Sequence, residues 1–192
     1  MTIIGNYIFF YGYDWPSNFA SSTIVELDPF WEETIYDSNR PIVTFKTAEA
    51  YYQSRKALVA NDKHRYYKIA HAKTPGETKR IAREIKLKSR EWDAVRIGWM
   101  VQTLKKKFEQ NDELRVKFLN PELDGKIFVE ASPTDTFWGI GKSELECTRE
   151  VERTGGLETF DYEHDIPCGF NVLGELLNNL RDDLVKNPVK SI

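Results

Sequence analysis

The chain has 192 residues, is 41% hydrophobic and 13% aromatic, and carries a formal net charge of −3. That length and composition fit one folded domain spanning 1–192 and exclude a disordered, low-complexity or strongly basic chain. Cys147 and Cys168 are too few for a disulfide scaffold, and the opening MTIIGNYIFFYGYDW has no basic leader, so the expectation is a cytoplasmic protein without a membrane anchor.

In chain order, IIGNYIFFY (3–11) predicts a short strand or two with a turn near Gly5-Asn6, followed by a loop over 12–18. PIVTF (41–45) predicts another strand. Helices dominate afterwards. Residues 47–59 form the first, with Thr47 available as its cap, and 62–72 the second. In TPGE (74–77), Thr74 suits the N-cap, Pro75 the first helical position and Glu77 the third, a capping box that opens a helix over Thr78–Ile85.

Ser89 is placed to cap a longer helix, 90–110, with Ile97, Met100, Val101, Leu104 and Phe108 as its apolar stripe. Residues 111–119 predict a short helix stopped by Asn120-Pro121, and KIFVEA (126–131) a strand. Leu173, Leu176, Leu177, Leu180 and Leu184 then repeat at threes and fours, and Pro188 ends that helix. The fold class that follows is α+β: predominantly helical, with a few short N-terminal and central strands.

Charge is unevenly spread. Lys79, Arg80, Arg83, Lys86, Lys88, Arg90, Arg96, Lys105, Lys106 and Lys107 are opposed only by Glu84, Glu91 and Asp93, while 144–165 runs acidic. A basic surface steers phosphorylated ligands, and it also serves simply to keep a helix soluble. In TFKTAEAYYQSRK (44–56), Glu49, Gln53 and Lys56 stand at offsets of four and three and share one helix face. A carboxylate beside Tyr51 and Tyr52 suits acid–base work, but by spacing alone the simpler reading is a surface pair with Gln53 or Lys46.

In SPTDTFWGIG (132–141), Asp135 stands beside Phe137 and Trp138, and Gly139 and Gly141 permit close backbone approach to a ligand. The alternative is a tight turn in which Asp135 caps its own backbone. Arg83, Lys88 and Arg90 are candidates for gripping phosphate, Trp92 and Trp99 for stacking or core, and Asn171 for capping the last helix or marking an anion site at its start. There is no GxGxxG, GxxxxGK[ST] or nucleophile elbow. His64, His71, His164, Cys147 and Cys168 do not make a zinc set.

Five stretches, FFYGYDWPSNFA (9–20), TFKTAEAYYQSRK (44–56), KRIAREIKLKSREWDAVRIGWM (79–100), TDTFWGIG (134–141) and GFNVLGELLNNLR (169–181), together resemble the NADAR family in order and over nearly the whole chain. That family includes riboflavin-biosynthesis-intermediate N-glycosidases. The resemblance implies hydrolysis of an N-glycosidic bond between a base-like nitrogen and a phosphorylated ribose. Its substrate classes are phosphoribosylamino-pyrimidines and ADP-ribose joined to guanine in DNA. By the same resemblance the E-x-x-x-Q glutamate falls on Glu49 and the aspartate before WG on Asp135, the two carboxylates expected to be catalytic. Asn18 and Phe19 match the SNF element, Trp92 the tryptophan after the basic stretch, and Asn171 and Gly174 the N-x-x-G element.

An oxocarbenium-like ribose calls for one carboxylate near the anomeric carbon and a group that assists water or the leaving nitrogen. Glu49 and Asp135 are expected in those jobs, in either order. Gln53, Trp138 and Gly139 complete the expected substrate contacts, with Lys56, Arg83 and Lys88 on phosphate. Neither metal nor redox cofactor is required. The acidic segment 142–168 departs from the family pattern and is expected to form a hairpin or lid. The preferred substrate is ADP-ribosylated guanine in DNA. A small riboflavin intermediate, or binding of ADP-ribose or NAD without cleavage, are the alternatives.

Overall fold

The structure, a computed structural model, describes residues 1–32, 39–153 and 169–187. It has the mixed α+β, predominantly helical character expected. By its internal contacts the chain divides into two compact units, one built from Met1–Ser17 with the residues from Val116 onward, the other from Asn18–Arg115.

The first unit holds a three-stranded sheet. Strand β1 (Thr2–Ile4) pairs antiparallel with β2 (Tyr7–Phe10), Ile3 opposite Ile8, and β2 pairs in parallel with the later β5 (Ile127–Glu130). The β1–β2 turn falls at Gly5-Asn6 as expected, with Gly5 at φ 55°. Phe9, Val129, Ala131, Ile140, Cys147 and Val151 form one buried cluster.

The second unit starts with an antiparallel pair, β3 (Ser21–Leu27) and β4 (Ile42–Thr47). Strand β3 is absent from the sequence expectation. Its inward positions include Ser22 and Glu26, so apolar alternation is broken; Glu26 is held inside by a buried ion pair with Arg55. Strand β4 runs straight into α1 (Ala48–Val59), where Thr47 is the N-cap and its hydroxyl accepts from Ala50 N at 3.1 Å.

Next come α2 (Lys63–Ala70), capped by Asp62, and α3 (Pro75–Arg83). Thr74 Oγ1 accepts from Glu77 N at 3.1 Å, as the TPGE motif implies, while Glu77 returns its bond to Lys73 N at 2.8 Å, one residue earlier than a standard capping box. Buried side chains of β3, β4 and the first three helices make the core of this unit, centred on Ile24, Phe45, Tyr51, Tyr66 and Ile69.

The single helix expected over 90–110 is two: α4 (Ser89–Asp93) and α5 (Arg96–Glu109). Val95, at φ −123° and ψ −14°, interrupts the helical path. Lys88 rather than Ser89 is the N-cap of α4, and no side chain caps it. The inward face of α5 is Met100, Thr103, Leu104, Lys107 and Phe108; Ile97, expected in the stripe, is exposed.

Helix α6 (Asp112–Phe118) leads out of this unit, and a 3-10 turn (Pro121–Leu123) follows where Asn120-Pro121 was expected to stop a helix. In the first unit again, α7 (Glu144–Arg153) occupies the start of the acidic segment read as a hairpin or lid. The rest of that segment, including His164 and Cys168, lies outside the described residues, as does Pro188. The leucine-striped helix is α8 (Val172–Lys186), with Leu173, Leu177 and Leu180 buried.

Candidate active site

Glu49 sits in the first turn of α1, at the end of the helix whose free N–H groups favour a negative charge. Its own N–H donates to Asn18 O at 2.9 Å, fixing the turn to the chain just before β3. The residue is only 5% exposed. Gln53, one turn on, donates from Nε2 to Glu49 Oε1 at 3.0 Å, so the shared helix face read from the sequence is a direct contact. Lys79, from α3, brings its Nζ to 3.9 Å from the same oxygen. Lys79 is half-exposed, which makes that pair weak and leaves the ammonium accessible to another anion.

Lys56 stands farther along the same face. Burial pushes its ammonium below the usual lysine range; the charge of Glu49 opposes that shift, and Lys79 and Arg83 add to it. Glu49, Lys79 and Arg83 thus all act electrostatically on Lys56, and Lys79 stands in ion-pair range of the carboxylate. Aromatic faces complete the cluster. Lys56 Nζ lies 5.2 Å from the Trp92 ring centre, Tyr52 and Trp92 are 5.3 Å apart and tilted by 55°, and Lys79 Nζ lies 4.5 Å above Phe19. Asn18 is buried, with its Nδ2 against Met100 Sδ at 3.1 Å.

Asn18, Phe19, Glu49, Gln53, Lys56, Arg83 and Trp92 are thus brought together from the chain before β3 and from α1, α3 and α4. Lys88 is not: it is highly exposed and 4.0 Å from Glu91. Trp99 does not share a helix with Trp92; it lies 5.6 Å from the guanidinium of Arg55. Lys79 and Tyr52 are members that the sequence expectation left out of the site. The basic run contained Lys79 without distinguishing it, and Tyr52 entered only as an aromatic neighbour of Glu49.

Asp135, Trp138, Gly139 and Asn171 belong to the other unit. Asp135 Oδ1 accepts from Phe137 N at 2.9 Å and Trp138 N at 2.8 Å, the self-capping turn that was the alternative to a ligand role. The Phe137 and Trp138 rings meet edge to face at 4.9 Å. Gly139 owes its lack of a side chain to its own chain rather than to a ligand, for a Cβ there would stand 2.7 Å from Glu130 O. Asn171, at φ 49°, does not cap α8 with its side chain. Its Oδ1 accepts from Glu130 N at 2.9 Å and its Nδ2 donates to Phe128 O at 3.0 Å, so both amide atoms are committed to β5.

The start of α8 is closed as an anion site too. Val172 N and Leu173 N donate to the carbonyls of Phe137 and Trp138 at 3.2 and 3.0 Å. Asn171 and Gly139 therefore serve as the frame of the Asp135 loop.

Among the described residues no group of His, Cys, Asp and Glu side chains is placed to hold a metal ion, and no helix is long and apolar enough to cross a membrane.

Comparison with known proteins gives three informative likenesses. N-glycosidase Npun_R5314 of Nostoc punctiforme is 30% identical over 169 residues, covering 88% of this chain and 83% of that protein. The chloroplastic riboflavin biosynthesis protein PYRR of Zea mays is 32% identical over 157 residues, covering 78% of this chain but only 21% of that much longer protein. The NMR structure of the E. coli protein YbiA superimposes with a TM-score of 0.62 at 25% identity, over 100% of this chain and 92% of that one. The NADAR domain model matches residues 9–185, and the chain belongs to the NADAR family.

Proposed function

We propose that this protein is an N-glycosidase that hydrolyses the bond between a base nitrogen and a phosphorylated ribose, with Glu49 as its working carboxylate and ADP-ribosylated guanine in DNA as its preferred substrate. The observation that carries the reading is the Glu49 cluster: one buried carboxylate bonded by Gln53, with Lys79 at 3.9 Å, and Lys56 beside the Trp92 face and within electrostatic reach of Glu49, Lys79 and Arg83. The Nostoc punctiforme relative, named an N-glycosidase and alike over most of both chains, supports the reaction class.

The chemistry follows from charge. As the C–N bond lengthens, positive charge builds on the ribose, and a fixed carboxylate stabilises it more than it stabilises the neutral ground state. Water then adds at the anomeric carbon. A C–O bond replaces the C–N bond, and the proton given up by the water passes by way of Glu49 to the departed nitrogen, which restores the carboxylate. Lys56, Lys79 and Arg83 are assigned to the phosphate or pyrophosphate, and Trp92 with Tyr52 to the base. Asp135 is retained as a second candidate carboxylate on the family resemblance; its observed work is to shape the WG loop.

A pyrophosphate-bearing ligand makes fuller use of three cations than a single phosphate does, which favours ADP-ribose. The likeness to a riboflavin biosynthesis protein favours a second reading, a phosphoribosylamino-pyrimidine.

The test is turnover of a guanine-ADP-ribosylated oligonucleotide and of the ribosylamino-pyrimidine phosphate in one chromatographic assay, with Glu49→Ala and Asp135→Ala beside wild type. Release of ADP-ribose that vanishes in Glu49→Ala supports the preferred substrate. Cleavage of the pyrimidine alone transfers the same mechanism to the metabolite. Binding of ADP-ribose without cleavage of either compound refutes the glycosidase reading.

A further inference from the structure

Two side-chain acceptors on residues that bond to Glu49 are left over among the described residues. Among the described residues neither Asn18 Oδ1 nor Gln53 Oε1 has a hydrogen-bond partner, although the two residues are only 4% and 7% exposed. Buried polar atoms are nearly always paired, so two unpaired ones in a single cluster call for an explanation. Both belong to residues that touch Glu49: Gln53 through its side-chain amide, Asn18 through its backbone carbonyl.

Their orientations are constrained. Gln53 cannot turn its amide over, because its Nε2 donates to Glu49 Oε1 and a flip would set two oxygens against each other. Asn18 spends its Nδ2 on the thioether of Met100, a weak acceptor that matches an amide donor better than a carbonyl oxygen would. Two buried carbonyl oxygens, on residues that each bond to Glu49, lack donors. A base edge presenting its own acceptors does not supply them. A pair of neighbouring hydroxyl groups supplies the two donors that are missing.

We propose that Asn18 Oδ1 and Gln53 Oε1 accept hydrogen bonds from the hydroxyls of the ribose whose anomeric carbon is attacked, and that they select ribose over 2-deoxyribose. The inference rests on the N-glycosidase reading and deepens it. A site built this way leaves its acceptors unpaired when the substrate lacks a hydroxyl, and rejects it for that reason. The consequence matters for an enzyme that acts on DNA: the strand's own deoxyribosyl bonds are refused while a ribosyl bond on the same base is cut.

The test uses two matched compounds, guanine-linked ADP-ribose and its analogue lacking the 2-hydroxyl of the ribose joined to guanine. The inductive effect of that hydroxyl makes the deoxy compound intrinsically the more labile. A preference for the ribo form therefore has to come from the protein. Each kcat/KM is divided by the uncatalysed rate of the same compound. Wild type is expected to favour the ribo form by about 100-fold or more. In Asn18→Ala and in Gln53→Leu that preference is expected to shrink by about tenfold or more, with the loss falling on the ribo compound. A residue that merely supports the fold lowers both rates alike, so an unchanged ratio in both variants overturns the proposal, as does a wild type that cuts the deoxy compound equally well. If Asn18→Ala fails to fold, Gln53→Leu carries the comparison alone.

If neither compound is cleaved, the glycosidase reading has failed and the selection is read separately, by titrating ADP-ribose and its 2-deoxy counterpart into the protein. Tighter ribo binding that narrows in the variants sustains the proposal, and equal affinities overturn it.

Discussion

Lys107 offers a quantitative test of the structure that does not depend on the reaction. The sequence places it third in a run of lysines, yet on α5 it faces inward and is 0% exposed. Burial lowers its pKa to about 7. In the unfolded chain the ammonium keeps its proton to near pH 10.4. Between those values the unfolded state binds more protons than the folded one, so stability rises with pH. The linkage relation gives a gain of roughly 2 kcal/mol between about pH 7 and about pH 9, and roughly 4 kcal/mol across the whole interval.

Below about pH 7 the lysine is charged in both states and the full penalty is present. Replacing it by Met keeps a flexible chain of similar length and removes the charge. Urea unfolding, followed by circular dichroism at steps through this range, should show Lys107→Met more stable than wild type at neutral pH and the two curves converging as pH rises. The amino terminus titrates in the same window with the opposite sign: its pKa is raised, by Asp14 and Glu144 against the effect of burial, and its contribution is lost as pH rises. Because both proteins share it, it cancels in the difference. Parallel curves, or a less stable Lys107→Met at neutral pH, would refute the assignment of Lys107 to a desolvated interior.

Three further outcomes follow from the geometry. Glu49→Gln should lower kcat by about 1,000-fold with little change in KM, since the neutral amide fills the same space without stabilising a developing cation; steady-state kinetics check this. Lys79→Ala should instead raise KM by about tenfold, spare kcat and weaken the salt dependence of kcat/KM, because on the proposed reading the half-exposed ammonium attracts the substrate's phosphate. Gly174→Ala should destabilise by about 3 kcal/mol in urea unfolding: the new Cβ would run into the backbone carbonyl of Phe128 and stand 2.5 Å from the Asn171 amide, and the carbonyl cannot move without breaking β5.

The parts of the fold that could be read from sequence are those with local causes. Thr47 and Thr74 each sit at a helix start where their oxygen meets a free N–H, and the residues needed for that bond are within three positions. The parts that could not be read depend on partners far along the chain. Strand β3 looks too polar until Arg55 is seen to enclose Glu26. That guanidinium bonds Glu26 and lies 4.0 Å from the Tyr51 ring, while Tyr66 donates to the same carboxylate at 2.6 Å. The free edge of β3 is closed by side chains from the end of α5: Gln110 bonds Val25 N and O, and Asn111 bonds Thr23 N and O. No periodicity rule registers a strand whose neighbours are an arginine and two amides.

The same distinction separates the site residues. The link from Glu49 to Gln53 was legible because four residues on a helix is a contact, and Lys56 followed at the other helical offset, three. Lys79 was not, since only tertiary structure singles one cation out of a basic run. Gly139 and Asn171 expose a different ambiguity. A glycine that admits a ligand and a glycine that admits the carbonyl of Glu130 leave the same mark in a sequence, as do an asparagine that holds a substrate and one that fastens a loop to a strand. The distinction rests on whether the polar atoms are already used. Asn171 has none left and belongs to the frame, whereas Asn18 and Gln53 each keep a buried acceptor without a partner among the described residues. That remaining hydrogen-bonding capacity directs the search for substrate contacts to the start of α1.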